Sequence, residues 1–151
     1  MKRISMPGIL LIMLSLLLSC TEESCEQDTE VFAHAGFYSS ESSEQINIDS
    51  LDIFGLGIPD SSLYEMAVLD NISLPLNPST LSCGFVIING GRSDTIVLRY
   101  QPKLEFLSKA CGYIYTFELE EVLFTTNDIF NISISINSVS PGDEENIQIF
   151  F

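Results

Sequence analysis

From Val31 to the C-terminus, apolar and polar residues alternate with a period of two. That is the spacing at which successive side chains of an extended strand point to opposite faces. The cleanest run is Phe130–Ile136, where Phe130, Ile132, Ile134 and Ile136 alternate with Asn131, Ser133 and Ser135. The same pattern predicts strands over Val31–Tyr38, Leu51–Leu56, Leu63–Leu69, Ile72–Leu76, Cys83–Asn89 and Thr95–Tyr100. It continues over Leu104–Leu107, Tyr113–Leu119 and Ile147–Phe151, and Val122–Thr126 either extends the Tyr113 strand across a bulge or begins another. Pro75 lacks an N–H for a ladder and restricts its strand to a sheet edge. Gly90-Gly91-Arg92-Ser93 is a hairpin signal, with glycines where positive φ is needed. No stretch shows a convincing amphipathic helix. About eight short strands with regular turn signals predict an all-β, two-sheet β-sandwich, immunoglobulin-like but without the buried tryptophan of antibody-type domains.

The first twenty residues follow a different rule. Lys2 and Arg3 precede a nearly unbroken apolar run, Ile9–Leu18, which Ser19-Cys20 closes. A basic head, a short apolar stretch and a small residue before a cut site make a secretory signal peptide over 1–19. The run is about half the ~20 residues a membrane-spanning helix needs. Leu17-Leu18-Ser19-Cys20 resembles the lipobox of bacterial lipoproteins, in which the cysteine is acylated and becomes the new N-terminus. The expected organisation is thus a signal peptide over 1–19, an acidic flexible linker over 20–29 beginning with lipidated Cys20, and a β-sandwich domain over 30–151. The linker, with Glu22, Glu23, Glu26 and Asp28, also resembles the acidic export signal of surface lipoproteins in Bacteroidetes-type bacteria. The expected location is the outer membrane, lipid-anchored, with exposure at the cell surface in view.

Charge narrows the partners. Loss of residues 1–19 leaves four basic residues (Arg92, Arg99, Lys103, Lys109) against all 21 acidic ones, a formal charge of −17. Such a surface repels phosphate backbones, so no nucleic acid partner is expected. It is repelled by anionic headgroups as well, leaving the lipid on Cys20 as the route to the membrane. The surplus carboxylates read chiefly as a solubility device for a β-rich chain.

With Cys20 committed to lipid, three thiols remain, which in an oxidising compartment suggests one disulfide and one leftover. Cys111 is in phase with Tyr113, Tyr115 and Phe117, and Cys83 with Phe85 and Ile87, so both are expected to look inward. Cys25, in the linker, is the mobile partner. Cys25–Cys111 is the expected bridge, with Cys83–Cys111 the competing pair.

Three features together resemble an uncharacterised lipoprotein family of Bacteroidetes-type bacteria. They are the lipobox Leu17–Cys20 with a second cysteine after it, the Ile53-Phe54-Gly55-Leu56-Gly57 segment, and Ser108-Lys109-Ala110-Cys111-Gly112-Tyr113 ahead of Thr116-Phe117. The resemblance implies a small, anchored, mostly β lipoprotein with Cys25 and Cys111 as partners and Cys83 unpaired. It implies no activity.

Candidate chemistry is sparse. The one histidine, His34, lacks the companions that zinc sites need, and no Gly-x-Ser-x-Gly elbow accompanies it as a triad base. A thiol–imidazole pair with Cys83 is conceivable, although an inward strand cysteine is usually inert packing. Glu118, Glu120 and Glu121, and the turn Asp143-Glu144-Glu145, supply carboxylates without a spacing that selects a catalytic pair. Tyr38, Tyr64 and Tyr100 are candidates for a sugar platform. Asp94-Thr95-Ile96 and Asp49-Ser50-Leu51 resemble O-glycosylation acceptors of the same bacterial group. The expectation is a non-enzymatic binding or assembly module with no catalytic or metal site and no cofactor. Its partners are the membrane, through Cys20, and an envelope or extracellular protein; the alternative is an accessory protein that binds glycan or calcium at the surface.

Overall fold

A computed structural model describes residues 24–151; the expected signal peptide and Cys20 lie outside the described residues. Ten strands follow in chain order: β1 Phe32–Tyr38, β2 Ile48–Gly55, β3 Ile58–Leu69, β4 Asn71–Pro75, β5 Ser82–Asn89, β6 Arg92–Ser108, β7 Gly112–Phe124, β8 Asn131–Ile134, β9 Ser138–Val139 and β10 Glu145–Phe150. They form a four-stranded sheet, β4-β1-β10-β8, and a six-stranded sheet, β3-β2-β5-β6-β7-β9. The fold is the expected all-β, two-sheet β-sandwich, with ten strands in place of about eight.

The two inward faces meet in one apolar core. Ala33, Ala35, Phe37, Ile72, Leu74, Ile147 and Ile149 come from the smaller sheet, and Leu51, Ile53, Phe85, Ile87, Ile96, Leu98, Tyr100, Phe117 and Leu119 from the larger. Each set obeys the period of two, which is why burial of one face fixes the register of its strand. β1 and β10 pair in parallel, so the C-terminal strand is held in mid-sheet between β1 and β8. Pro75 ends β4 on the sheet edge, as its missing N–H requires. Gly90 and Gly91, at φ 54° and 83°, turn β5 into β6.

Two expectations are corrected, and one open alternative is decided. Thr95–Tyr100 and Leu104–Leu107, expected as two strands, are one, which runs through Pro102 to Ser108. The Tyr100 N–H donates to the Leu81 carbonyl at 3.0 Å, so position 102, two residues on, faces the same side. There β5 has already ended at Ser82, opposite Arg99, and no ladder bond is lost to the proline. Of the two alternatives for Val122–Thr126, the structure takes the first: it extends the Tyr113 strand across a bulge, as far as Phe124. Arg99 pairs with Glu121 but Tyr100 with Leu119, so Glu120 is the extra residue of a bulge. Inward burial therefore passes from Phe117 and Leu119 to Val122 and Phe124. The run Phe130–Ile136 is the third case: only Asn131–Ile134 is strand, on a sheet edge, and Phe130 and Ile136 are exposed.

Two buried polar side chains break the alternation with every bond made. Asp94 accepts hydrogen bonds from the Thr125 hydroxyl and from the amides of Asn127, Asp128 and Ile129, which folds the 125–129 loop around one carboxylate. Asn146 accepts the His34 amide and donates to the carbonyls of Ile136 and Ser138, joining β1 to the segment that leads into β9. Such groups are tolerated in a core because their hydrogen bonds are satisfied.

Candidate functional site

The pairing of β6 with β7 continues past both neighbours. β5 leaves β6 at Arg99, and β9 leaves β7 at Phe117. From Pro102 to the 108–112 turn the two strands form a hairpin that extends beyond the rest of the sheet. Lys103 and Glu118 join across it at 3.0 Å, and Arg99 and Glu121 at its base at 3.1 Å. In the turn, Ser108 Oγ accepts the Cys111 N–H at 3.0 Å, and Gly112 takes φ 73°, a left-handed conformation suited to a residue without Cβ.

Cys111 is bonded to Cys25 at this tip, which selects between the two pairings open in the sequence. The expected partner was right and the expected setting was not. Cys111 lies in the turn and does not point into the core, and the side chains in phase with it, Tyr113 and Tyr115, are exposed. Among the described residues Cys83 is the free thiol, half-buried against the core. After Cys25 the chain returns along the hairpin's other face. Gln27 and Asp28 line a cleft with Ile114, Thr116, Leu107 and Pro141. This explains why Ile114 and Thr116 are buried although they face away from the sandwich interior.

His34 lies on a second feature, a cleft of about 330 Å³ beside β1, lined by Gln45, Asn71, Ser73, Asp143 and Glu145. Its Nδ1 is 3.0 Å from Ser73 Oγ. Glu145 lies against Gly36, where a Cβ would meet its carboxylate, and is held by the Tyr38 hydroxyl at 2.9 Å and by Gln148 Nε2 at 2.9 Å. Burial and then the hydrogen bond to the negatively charged Glu145 push the Tyr38 phenol up from its ordinary value. A triad needs an acid on the far nitrogen of a histidine, and Glu145 is engaged elsewhere. The cleft can offer polar groups to a small ligand.

The third feature is an apolar groove of about 550 Å³ lined by Leu56, Ile58, Leu63, Cys83, Phe85 and Val97. Burial pushes the Cys83 thiol up, so it stays protonated at neutral pH and is a poor nucleophile. Cys83 packs against the core, whereas His34 alternates with the buried Ala33 and Ala35 and faces outward into its own cleft, which separates the conceivable thiol–imidazole pair. Among the described residues no three His, Cys, Asp or Glu side chains assemble to hold a metal.

The tyrosines do not form a platform. Tyr100 is fully buried, with its ring edge-on to Phe117 at 5.3 Å and its hydroxyl donating to the Asn77 carbonyl at 3.0 Å. Tyr64 is half-buried, and its hydroxyl accepts the Ser73 amide at 2.9 Å. The carboxylate of Asp94, in one glycosylation-like tripeptide, is buried in the loop network already described. Glu118 and Glu121 are taken up by Lys103 and Arg99.

These features define an all-β sandwich whose N-terminal segment is stapled to the tip of a projecting hairpin. The chain belongs to the DUF6452 family, a family of unknown function, whose model matches residues 50–151. The match includes Cys111 and the Ile53–Gly57 and Ser108–Tyr113 segments; Cys20 and Cys25 precede it. No curated protein and no solved structure matches the chain.

Proposed function

We propose that the chain is a lipid-anchored outer-membrane lipoprotein of the Bacteroidetes type that serves as a non-enzymatic binding or assembly module. The observation that carries this reading is the Cys25–Cys111 bridge. It fastens the domain five residues after the cysteine of a lipobox-like sequence. Disulfides form and persist in exported proteins and are rare in a reducing cytosol, so the bridge supports export. Only residues 21–24 then separate a lipid on Cys20 from the fold. A docked partner, not a substrate, is favoured by His34 facing outward while Cys83 packs against the core, and by the engagement of Glu145, Glu118 and Glu121 with neighbours.

Mass spectrometry of the N-terminal peptide from native membranes tests the anchor. Acyl chains on Cys20 and loss of residues 1–19 are expected, with Cys20→Ser released from the membrane fraction. An intact N-terminus at Met1 removes the reading. Protease shaving of intact cells, comparing native protein with a Glu22→Ala, Glu23→Ala variant, tests surface exposure: shaving of the native domain alone identifies the acidic linker as an export signal.

The His34 cleft supports a second reading, an accessory protein that binds a small polar ligand such as a glycan. Thermal unfolding with a glycan panel and with calcium decides it, and flat traces throughout remove it.

A further inference from the structure

We infer that the aromatic face of the β6–β7 hairpin rests on the lipid bilayer and holds the sandwich tip-down on the membrane. This inference rests on the acylation of Cys20. Four cross-strand pairs share one face of the hairpin: Tyr100 with Leu119, Pro102 with Phe117, Leu104 with Tyr115, and Phe106 with Tyr113. Within the sandwich Tyr100, Phe117 and Leu119 are core. Further out the same face emerges uncovered. Leu104 is 59% exposed, Phe106 57%, Tyr113 67% and Tyr115 43%, and the Phe106 and Tyr113 rings pack edge to face at 5.2 Å. Rings with an apolar body, some carrying a polar tip, suit the boundary between headgroups and acyl chains.

The occupant is indicated by where the chain leads. Cys25 is bonded to the turn of this hairpin, and Cys20 precedes it by five residues. A fully extended chain covers about 3.3–3.6 Å per residue, so a lipid on Cys20 holds the tip within roughly 18 Å of the bilayer surface. Gln27 and Asp28, which follow Cys25, lie on the opposite face, beside Ile114 and Thr116, and leave the aromatic face open. Three of the four basic residues left after residue 19, Arg99, Lys103 and Lys109, lie on the hairpin or its turn. Between Pro102 and Tyr115 the only acidic residue is Glu105, against Lys103 and Lys109. Glu26 and Asp28 follow Cys25 at the same tip and Lys103 is paired with Glu118, so the placement rests on the bridge and the uncovered rings and not on charge.

The chain has no tryptophan, so one introduced indole reports its own surroundings. The test uses full-length, natively acylated protein reconstituted in phosphatidylcholine vesicles with brominated acyl chains. Tyr113→Trp is expected to lose its emission relative to unbrominated vesicles. Phe130→Trp, next to the Asp94-bound loop at the far end of β6, keeps its emission. Leu104→Trp repeats the measurement if Tyr113→Trp folds poorly. Unquenched emission at 113 and 104 with acyl chains present on Cys20 overturns this inference and leaves the anchored reading standing. An unacylated Cys20 by mass spectrometry removes both. Shielded but unquenched indoles in a protein that sediments as a dimer assign the face to a second copy and overturn the inference.

Discussion

Asp94 Oδ2 accepts the amide of Ile129 at 2.9 Å, across 35 positions of sequence, and Ile129 is thereby seated in the core. The same carboxylate takes the amides of Asn127 and Asp128 and the Thr125 hydroxyl. Burial on its own raises the pKa of such a group. Here the hydrogen bonds from Thr125, Asn127, Ile129 and Asp128 outweigh burial and hold it below the ordinary carboxylate value. A group depressed in the folded state adds stability that is complete above its unfolded pKa and is lost as pH falls through the folded one. Asp94→Ala is expected to cost about 3 kcal/mol at neutral pH, since it leaves buried amides without an acceptor. Asp94→Asn should lose less at neutral pH and have a shallower acid limb. Urea unfolding from neutral pH down to about pH 3 measures both.

The staple between Cys25 and Cys111 closes a sequence separation of 86 residues. In the chain-entropy model, opening a loop of that length removes about 4–5 kcal/mol of stability. Dithiothreitol, or Cys25→Ser, should lower the denaturant midpoint and open residues 26–28 to proteolysis. An unchanged midpoint on reduction would show that the bridge adds no net stability.

Tyr100 combines a fully buried ring with a hydroxyl that donates to the Asn77 carbonyl and accepts the Asn77 amide at 3.1 Å. Tyr100→Phe keeps the ring contact with Phe117 and removes the anchor of the 76–81 loop. A loss of about 1–2 kcal/mol is expected, with faster amide exchange in that loop. Equal exchange in both proteins would refute the anchoring role.

Gly36 is confined by its neighbours: an added Cβ would collide with the Glu145 carboxylate and the Tyr38 ring. Gly36→Ala is expected to cost about 1–3 kcal/mol, as overpacking does, and to disturb the Tyr38–Glu145 hydrogen bond. Because that bond, after burial, helps hold the phenol up, the Tyr38 titration should move toward its ordinary value in the variant. Ultraviolet titration reads this directly.

Where a strand has one wet and one dry face the sequence was easily read, as in β1, β5 and β10. Legibility failed where pairing overrides local pattern. Pro102 looks like a stop until it is known that β5 no longer lies beside it. Phe130 and Ile136 look like core because alternation reports a face and says nothing of what covers it. The same blindness hid the hairpin extension: Tyr113 and Tyr115 share the face of Phe117 and Leu119, as their spacing indicates, yet they project beyond the opposing sheet. Asn146 and Asp94 were hidden for another reason. A buried polar residue looks like a surface one until its partners, often more than thirty positions away, are in place. For the candidate site, the pairing of Cys25 with Cys111 could be anticipated, whereas its position at a hairpin tip could not.

The bridge at that tip also has a mechanical consequence. Tension on the chain ahead of Cys25 passes through the two sulfurs into the start of β7, bypassing everything from residue 26 to residue 110. A pull between that end and a load gripped beyond β7 therefore stretches a chain shortened by most of its length. β1 to β6 are spared from unravelling for as long as the thiols stay oxidised.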